Sequence, residues 1–254
     1  MKEPWRLLFT GFNSAAENMA IDHAILTAHS KNIVIPTVRF YGWNPSAISI
    51  GYFQQLTEEV NLDACSQHGV DYVRRITGGG AVFHEHELTY SIVVSENNPN
   101  ISRNILESYG TICGAVIRGL SQLNIESTYA PINDILVNGK KISGNAQTRK
   151  YQTILQHGTI LMDVDFEKMF TLLKVPNEKI KDKMISDVKQ RVTSIKHQTN
   201  TSLSFNDVAL AMKLGFEEAF DVNLIPGILT KDEQQFTQQY VSAIFGSDNW
   251  NRRR

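Results

Sequence analysis

Cysteine is scarce in this chain: Cys65 and Cys113 are the two among 254 residues. Two thiols exclude a disulfide scaffold and suit a reducing compartment, so a cytoplasmic location is expected. Long apolar runs are missing too, and none approaches the roughly 20 residues that cross a bilayer. The first twelve residues lack an apolar stretch ending in a small-residue cleavage site, so no secretory signal is visible. Charge of one sign is also lacking. Lys and Arg total 25 against 26 Asp and Glu, for a net charge of −1. That balance argues against nucleic-acid binding by bulk electrostatics. Arg252, Arg253 and Arg254 read as a small solvated basic end. No repeat, low-complexity tract or Pro/Gly/Ser linker divides the chain, and its composition is that of a soluble globular protein.

Glycine, by contrast, is concentrated. Arg74-Arg75-Ile76-Thr77-Gly78-Gly79-Gly80-Ala81-Val82-Phe83-His84 places two arginines before three consecutive glycines and a resumed apolar strand. Three glycines cost backbone entropy and add no packing. They suit a backbone that approaches a ligand closely and turns N–H groups toward it, and such a concavity binds anions. Adjacent arginines fit phosphate or carboxylate. The other reading is a plain hairpin with solvated arginines. Neither Gly-Lys-Ser/Thr nor a helix-opening GxGxxG is present.

The surrounding pattern predicts an α+β fold, with strands in the middle and helices in the second half. Helices are expected over 14–29 (capping box Ser14/Glu17), 62–68 (Gly69 as C-cap), 104–123, 166–173, 177–189, 206–220 and 231–245. Strands are expected over 37–41, 47–51, 71–76, 81–95 and 153–163. Asn138-Gly139 between 134–137 and 140–143 is a strong two-residue hairpin signal. Taken literally, it pairs Leu136 with Lys141 and Asp134 with Ser143. Ile135, Val137 and Ile142 then form a core face, with Lys140 reaching past it to water. Asp134, Leu136, Lys141 and Ser143 form a second, more polar face. Lys141 is therefore the lysine expected to meet a ligand; an ordinary solvent face is the competing reading.

Arginines, a glycine cradle, a strand lysine and the Asn133-Asp134 pair resemble equipment for a nucleotide and its phosphates. In acyl-adenylate formation a carboxylate and an α-phosphate repel each other. A lysine between them offsets that repulsion, and holding both reactants in register supplies much of the rest. Asp134 would either hold Mg²⁺ or orient Lys141. His84 and His86 alternate on a strand but have no evident third metal ligand. Cys113 on the long helix reads as a small hydrophobe, and Cys65 with His68 as helical neighbours only.

These residues resemble the lipoate–protein ligase and octanoyltransferase superfamily, which also contains the biotin–protein ligases. The anchors are Arg39-Phe40-Tyr41, Gly51-Tyr52-Phe53-Gln54, the Arg74–His84 stretch, Asn133-Asp134-Ile135, the 139–146 segment and Gln156-His157-Gly158-Thr159. The resemblance implies a mixed sheet flanked by helices, the class II synthetase-like catalytic fold. It implies one catalytic domain over 1–254, with a core near 30–215, C-terminal helices within 204–246 and no separate C-terminal accessory domain.

It further implies Lys141 as the catalytic lysine. The nucleotide or acyl-adenylate would meet Arg74, Arg75, Gly78, Gly79, Gly80, Ala81, Val82, Phe83, Asn133, Asp134, Lys141, Ser143, Gly144 and Ala146. The acyl group would meet His84, Lys141 and His157. ATP with Mg²⁺ and lipoate or octanoate are the implied cofactors and substrates. A lipoyl domain or glycine-cleavage H-type protein is the implied acceptor, with a separate accessory ligase subunit as a further partner and neither nucleic acid nor membrane involved.

The wording of 39–45, 87–91 and 144–149 is closest to the cysteine-dependent octanoyltransferases. Those enzymes carry their nucleophilic cysteine in a longer loop before the hairpin. Here residues 126–132 form a short loop without cysteine, and Glu85 replaces the family's usual aspartate. The expectation is therefore an ATP-dependent lipoate or octanoate ligase. The alternatives are a carrier-dependent acyltransferase that uses no ATP and a non-catalytic acyl- or carrier-binding module.

Overall fold

The computed structural model describes residues 2–174 and 181–253. In chain order the first half contains β1 (Glu3–Asn13), α1 (Ala15–Ser30), β2 (Thr37–Trp43), β3 (Ala47–Ile50), α2 (Leu56–Glu59), α3 (Leu62–His68), β4 (Asp71–Arg74), β5 (Val82–His84), β6 (Glu87–Ser95) and α4 (Ile105–Gln122). There follow β7 (Thr128–Ala130), β8 (Asp134–Val137), β9 (Lys140–Lys150), β10 (Thr153–Leu161), α5 (Phe166–Leu172), α6 (Lys181–Arg191), α7 (Ile195–Thr199), α8 (Phe205–Phe220), β11 (Val222–Pro226), α9 (Lys231–Tyr240), a π-turn (Val241–Phe245) and α10 (Asp248–Asn251). The first part of the helix expected over 177–189 lies outside the described residues.

Eight strands form a mixed sheet in the order β11-β1-β2-β6-β10-β9-β8-β7, and β4-β3-β5 form a smaller sheet. Side-chain alternation divides the large sheet's two faces. Trp5, Leu7, Val38, Phe40, Leu88, Tyr90 and Ile92 pack with α4 and α8. Leu8, Tyr41, Trp43, Val93 and Leu155 pack with α1, the π-turn and part of the small sheet. Helices α4 and α8 approach closely because Gly215 has no Cβ; one would lie 2.3 Å from the Ala115 carbonyl oxygen. Local signals hold where they are strongest. Ser14 and Glu17 form the capping box, and Gly69 takes the left-handed C-cap.

Two expectations are corrected. The strand expected over 81–95 is two strands in different sheets. Between them the chain turns at Glu85-His86, closed by a 2.7 Å bond from His84 Nδ1 to Glu87 Oε1. The hairpin keeps its Asn138-Gly139 turn, both residues having positive φ. Its register slips after Leu136↔Lys141, however, and Ile135 pairs with Ser143 while Asp134 pairs with Gly144. A β-bulge of this kind inserts one residue and re-aims side chains. Ile135, Val137 and Ile142 are buried as expected. Ser143 is buried as well and leaves the polar face.

Candidate functional site

The glycine loop is held from beneath by Arg74, which is fully buried. Its guanidinium donates to the carbonyls of Tyr52 (3.0 Å), Trp250 (3.0 Å), Asn251 (3.0 Å) and Arg253 (2.8 Å), and also to those of Gly51 and Gln54. The Trp250 indole returns a bond to the Arg74 carbonyl (2.7 Å). Arg74 is thus a clamp between the chain after β3 and α10, borders neither of the cavities described below, and is removed from the ligand-binding set. The expected solvated basic end is corrected at Arg253 alone, which lies 4.0 Å from the Tyr52 ring centroid and 3.8 Å from that of Trp250; Arg252 is exposed as expected, and Arg254 lies outside the described residues. Cation–π contact on both rings fixes Arg253.

Arg75 does face a cavity. It donates to the Ser49 carbonyl (2.9 Å), Ser49 Oγ (3.0 Å), Gly78 O (2.9 Å) and Gly80 O (2.7 Å). Burial pushes its pKa down to about 10, still charged at neutral pH. The glycines answer to geometry. Gly79 has φ +100°, and a Cβ on Gly51 would lie 2.0 Å from Gly79 O.

The cavity has a volume of about 170 Å³ and lies between the two sheets. Of the residues named from the sequence, Gly79, Gly80, Ala81, Val82, Asn133, Lys141, Gly144, Ala146, His84 and His157 border it. Gly78, Phe83, Asp134 and Ser143 do not. Gly78 lends its carbonyl to Arg75. Ser143 Oγ accepts from Asn145 Nδ2 below the surface. Phe83 borders a second cavity of about 260 Å³, which shares Ala81, Val82, Lys141, Gly144 and Thr159 with the first. Glu85 and Asp163 also line that second space. Glu85 is ion-paired with Lys168 and accepts from Ser46 Oγ (3.0 Å).

Lys141 stands where the two cavities meet. Its ammonium lies 2.6 Å from Asp134 Oδ1. This ion pair is the contact that one of the two roles expected for Asp134, orienting Lys141, requires. Among the described residues, no cluster of three His, Cys, Asp or Glu side chains is arranged to hold a metal ion. The lysine reaches this position by folding back over Gly144, where a Cβ would meet Lys141 Cε at 2.7 Å and Nζ at 2.8 Å. Gly144→Val should therefore displace the ammonium and lower kcat/KM at least tenfold, about 1.4 kcal/mol in the transition state, while the protein still folds. Turnover near wild type would show that the folded-back lysine is dispensable.

His157 is held on both ring nitrogens. Nδ1 donates to Asp22 Oδ2 (3.2 Å), and Nε2 accepts from Thr77 Oγ1 (2.8 Å). Burial lowers its pKa, and the bond to Asp22 restores only part of that shift. The ring thus favours its neutral form and ties the glycine loop to α1. His84 donates to Glu87 through Nδ1 and meets Ser49 Oγ through Nε2 at 2.7 Å. It stacks on Trp43 with centroids 4.1 Å apart. Sequence reasoning did not select Ser49, Thr89, Trp43, Asn145 or Thr159 as site residues, although all border the first cavity. Both cysteines lie elsewhere. Burial pushes Cys113 up to about 12 and Cys65 up to about 11.

A family model described as the lipoyl protein ligase A/B catalytic domain matches residues 14–217. The chain belongs to that family. Proteins named octanoyltransferase LipM resemble it over nearly their whole length. The one from Kyrpidia tusciae is 39% identical, with 99% of this chain and 100% of the relative covered. The one from Bacillus subtilis is 34% identical, with 100% and 99% covered. That second alignment runs over 276 positions against 254 residues here, so the relative carries residues without counterpart in this family member. Among solved structures, a bi-partite lipoate protein ligase from Thermoplasma acidophilum superposes with a TM-score of 0.89 at 28% identity, with 98% and 96% covered. Lipoate-protein ligase A bound with ATP gives 0.83 at 26% identity, with 99% and 98% covered. The expected family and its mixed, helix-flanked fold are thereby established. No described helix is long and apolar enough to cross a membrane.

Proposed function

We propose that this protein transfers an octanoyl or lipoyl group from a carrier thioester to a lysine amine on a small acceptor domain of the lipoyl or H-protein type. The observation that carries the reading is Lys141, an ammonium paired with Asp134 at the wall of the first cavity. There it polarises the acyl carbonyl and offsets the oxyanion that develops when an amine attacks. His157 and Arg75 hold the cavity wall and the glycine loop around the chain.

The names of the relatives support this transfer reading better than the ATP-dependent ligase expected from the sequence. The ligase remains a second reading for one reason. The cavity beside Phe83 and Asp163 opens onto Lys141, and similar solved proteins include a ligase bound with ATP. In that version Ala81–Phe83, Asn133 and Lys141 would hold an adenylate, and the acid would be activated before transfer. The deciding assay supplies an apo lipoyl domain with either octanoyl-carrier thioester alone or octanoate plus Mg-ATP. Acceptor octanoylation in the first arm supports the transferase. Octanoylation and pyrophosphate release in the second arm alone establish the ligase.

Neither cysteine can serve as the nucleophile in this cavity. Cys113 packs in the core beneath the large sheet, and Cys65 packs among Ile48, Ile50 and Leu56. A nucleophilic thiol needs a thiolate, and burial suppresses both. The double variant Cys65→Ala/Cys113→Ala is expected to keep transfer within about threefold, with iodoacetamide leaving the wild-type rate unchanged. Loss of activity in a folded double variant would put a cysteine back into the mechanism.

A further inference from the structure

Transfer without a reactive thiol leaves open which atom receives the acyl group. Ser49 sits in the middle strand of the small sheet, opposite Val82 of β5. Its neighbours Ile48 and Ile50 point into an apolar cluster. By strand alternation Ser49 faces the other way, into the wall of the first cavity,. A hydroxyl is an odd choice for a strand interior built only for packing.

Its partners form an ordered series. Ser49 Oγ lies 2.7 Å from His84 Nε2, and His84 Nδ1 lies 2.7 Å from Glu87 Oε1. Glu87 is 3% exposed and His84 4%. Thr89 Oγ1 donates to the same Glu87 oxygen at 2.5 Å, and Trp43 Nε1 donates to Thr89 Oγ1 at 2.8 Å. Stacking on Trp43 holds the plane of the imidazole. With Nδ1 donating to Glu87, Nε2 is the acceptor that faces the serine hydroxyl,. Arg75 Nη1 lies 3.0 Å from Ser49 Oγ and places fixed positive charge beside the reacting oxygen. Nucleophile, base, orienting carboxylate and a cation near the developing charge are the parts of an acyl-transfer centre, recognised by geometry rather than by sequence order.

We infer that Ser49, His84 and Glu87 form a nucleophilic triad, and that the acyl group passes through an ester on Ser49. This rests on the carrier-thioester reading above. In the first half-reaction Ser49 Oγ bonds to the thioester carbonyl carbon and its proton moves to His84 Nε2. The C–S bond breaks, and the departing thiolate takes that proton and leaves as a thiol. In the second half-reaction the acceptor lysine amine bonds to the ester carbonyl carbon, the C–O bond breaks, and a proton from the amine returns through His84 to Ser49 Oγ. Nothing is oxidised or reduced. Glu87 acts through His84 and is a positioning residue.

The test uses the full chain with octanoyl-N-acetylcysteamine as thioester donor, read by intact-mass and peptide mass spectrometry without acceptor. The expected result is one octanoyl group on the peptide containing Ser49, stable to neutral hydroxylamine as an ester is. It should be transferred to an apo lipoyl domain added afterwards. Ser49→Ala should give no adduct and at least a thousandfold slower transfer from the thioester. Ser49→Cys should give an adduct that neutral hydroxylamine removes, a readout that a merely structural role would not move. Glu87→Gln should lower kcat and leave KM unchanged. An alkyl fluorophosphonate should label Ser49 in the wild-type protein. Acceptor octanoylation with no adduct, together with a fully active Ser49→Ala variant, would overturn the triad and leave the transfer reading standing. Failure of both adduct and acceptor octanoylation from thioester, while ATP and octanoate succeed, would overturn both.

Discussion

Lys141→Ala is expected to lower kcat/KM for acyl transfer by about 10²–10³, the cost of removing a charge aimed at a developing oxyanion. That corresponds to about 2.7–4 kcal/mol of transition-state stabilisation. The effect should fall on kcat, because the carbonyl becomes an oxyanion only on the way to the transition state. Stability should change by no more than about 0.5 kcal/mol, as for other surface substitutions: the Lys141 side chain is 38% exposed and its ion pair with Asp134 is half-exposed as well. Lys141→Arg should not rescue. A planar guanidinium cannot occupy the narrow space over Gly144 that a tetrahedral ammonium fills. Asp134→Asn should have an intermediate effect, since it keeps the lysine and loses only its orientation. Steady-state kinetics with either acyl donor, alongside thermal unfolding, checks all three. A Lys141→Ala variant with more than a tenth of wild-type turnover would remove the lysine from the chemistry under both the transferase and the ligase reading.

Lys141 and the glycine loop were legible in the sequence because their signals are local. Asn138-Gly139 fixes a turn, alternation assigns faces, and three glycines mark a close approach. The bulge between Ile135 and Lys141 was not legible. One inserted residue leaves the hydrophobic pattern on the core side intact and moves Ser143 from the polar face into the interior. Arg74 was misread for a different reason. An arginine before a glycine loop suits a phosphate equally well, and three of the six carbonyls that claim it lie 176–179 residues further along the chain. Strands β1 and β11 also escaped. Leu7 and Leu8 are adjacent and both buried, one on each face of the sheet, which blurs the period of two. Ser49 and Glu87 carry no motif that connects them. Only the pairing of β3 with β5 and the turn at Glu85-His86 bring them to one imidazole.

Asp22 illustrates the same point and gives the largest expected effect on stability. It lies on α1, 1% exposed, and both carboxylate oxygens are fully used. Oδ1 accepts from Arg39 Nη1 (2.7 Å) and Ser91 Oγ (2.8 Å), and Oδ2 accepts from Tyr41 Oη (3.0 Å) and His157 Nδ1 (3.2 Å). An ionised carboxylate has about four acceptor sites, and here each has a donor. Asp22→Asn removes the charge opposite the buried Arg39 guanidinium and turns one acceptor into a donor that faces other donors. Breaking a buried pair by removing one partner costs about 3–5 kcal/mol, and chemical denaturation at pH 7 should show a loss of that size. Burial alone would raise the Asp22 pKa, but Arg39, His157 and Ser91 outweigh it and hold the group below its usual 3.8. The folded-state pKa is therefore depressed. The stability it contributes is complete above the unfolded-state value and is lost as pH falls through the folded one. The gap between wild type and Asp22→Asn should narrow as pH falls below about 4, the range in which the Asp22 carboxylate itself is protonated. A loss under about 1 kcal/mol at pH 7, or a gap that stays open at low pH, would mean that the Asp22 charge is not what holds α1 to the sheet.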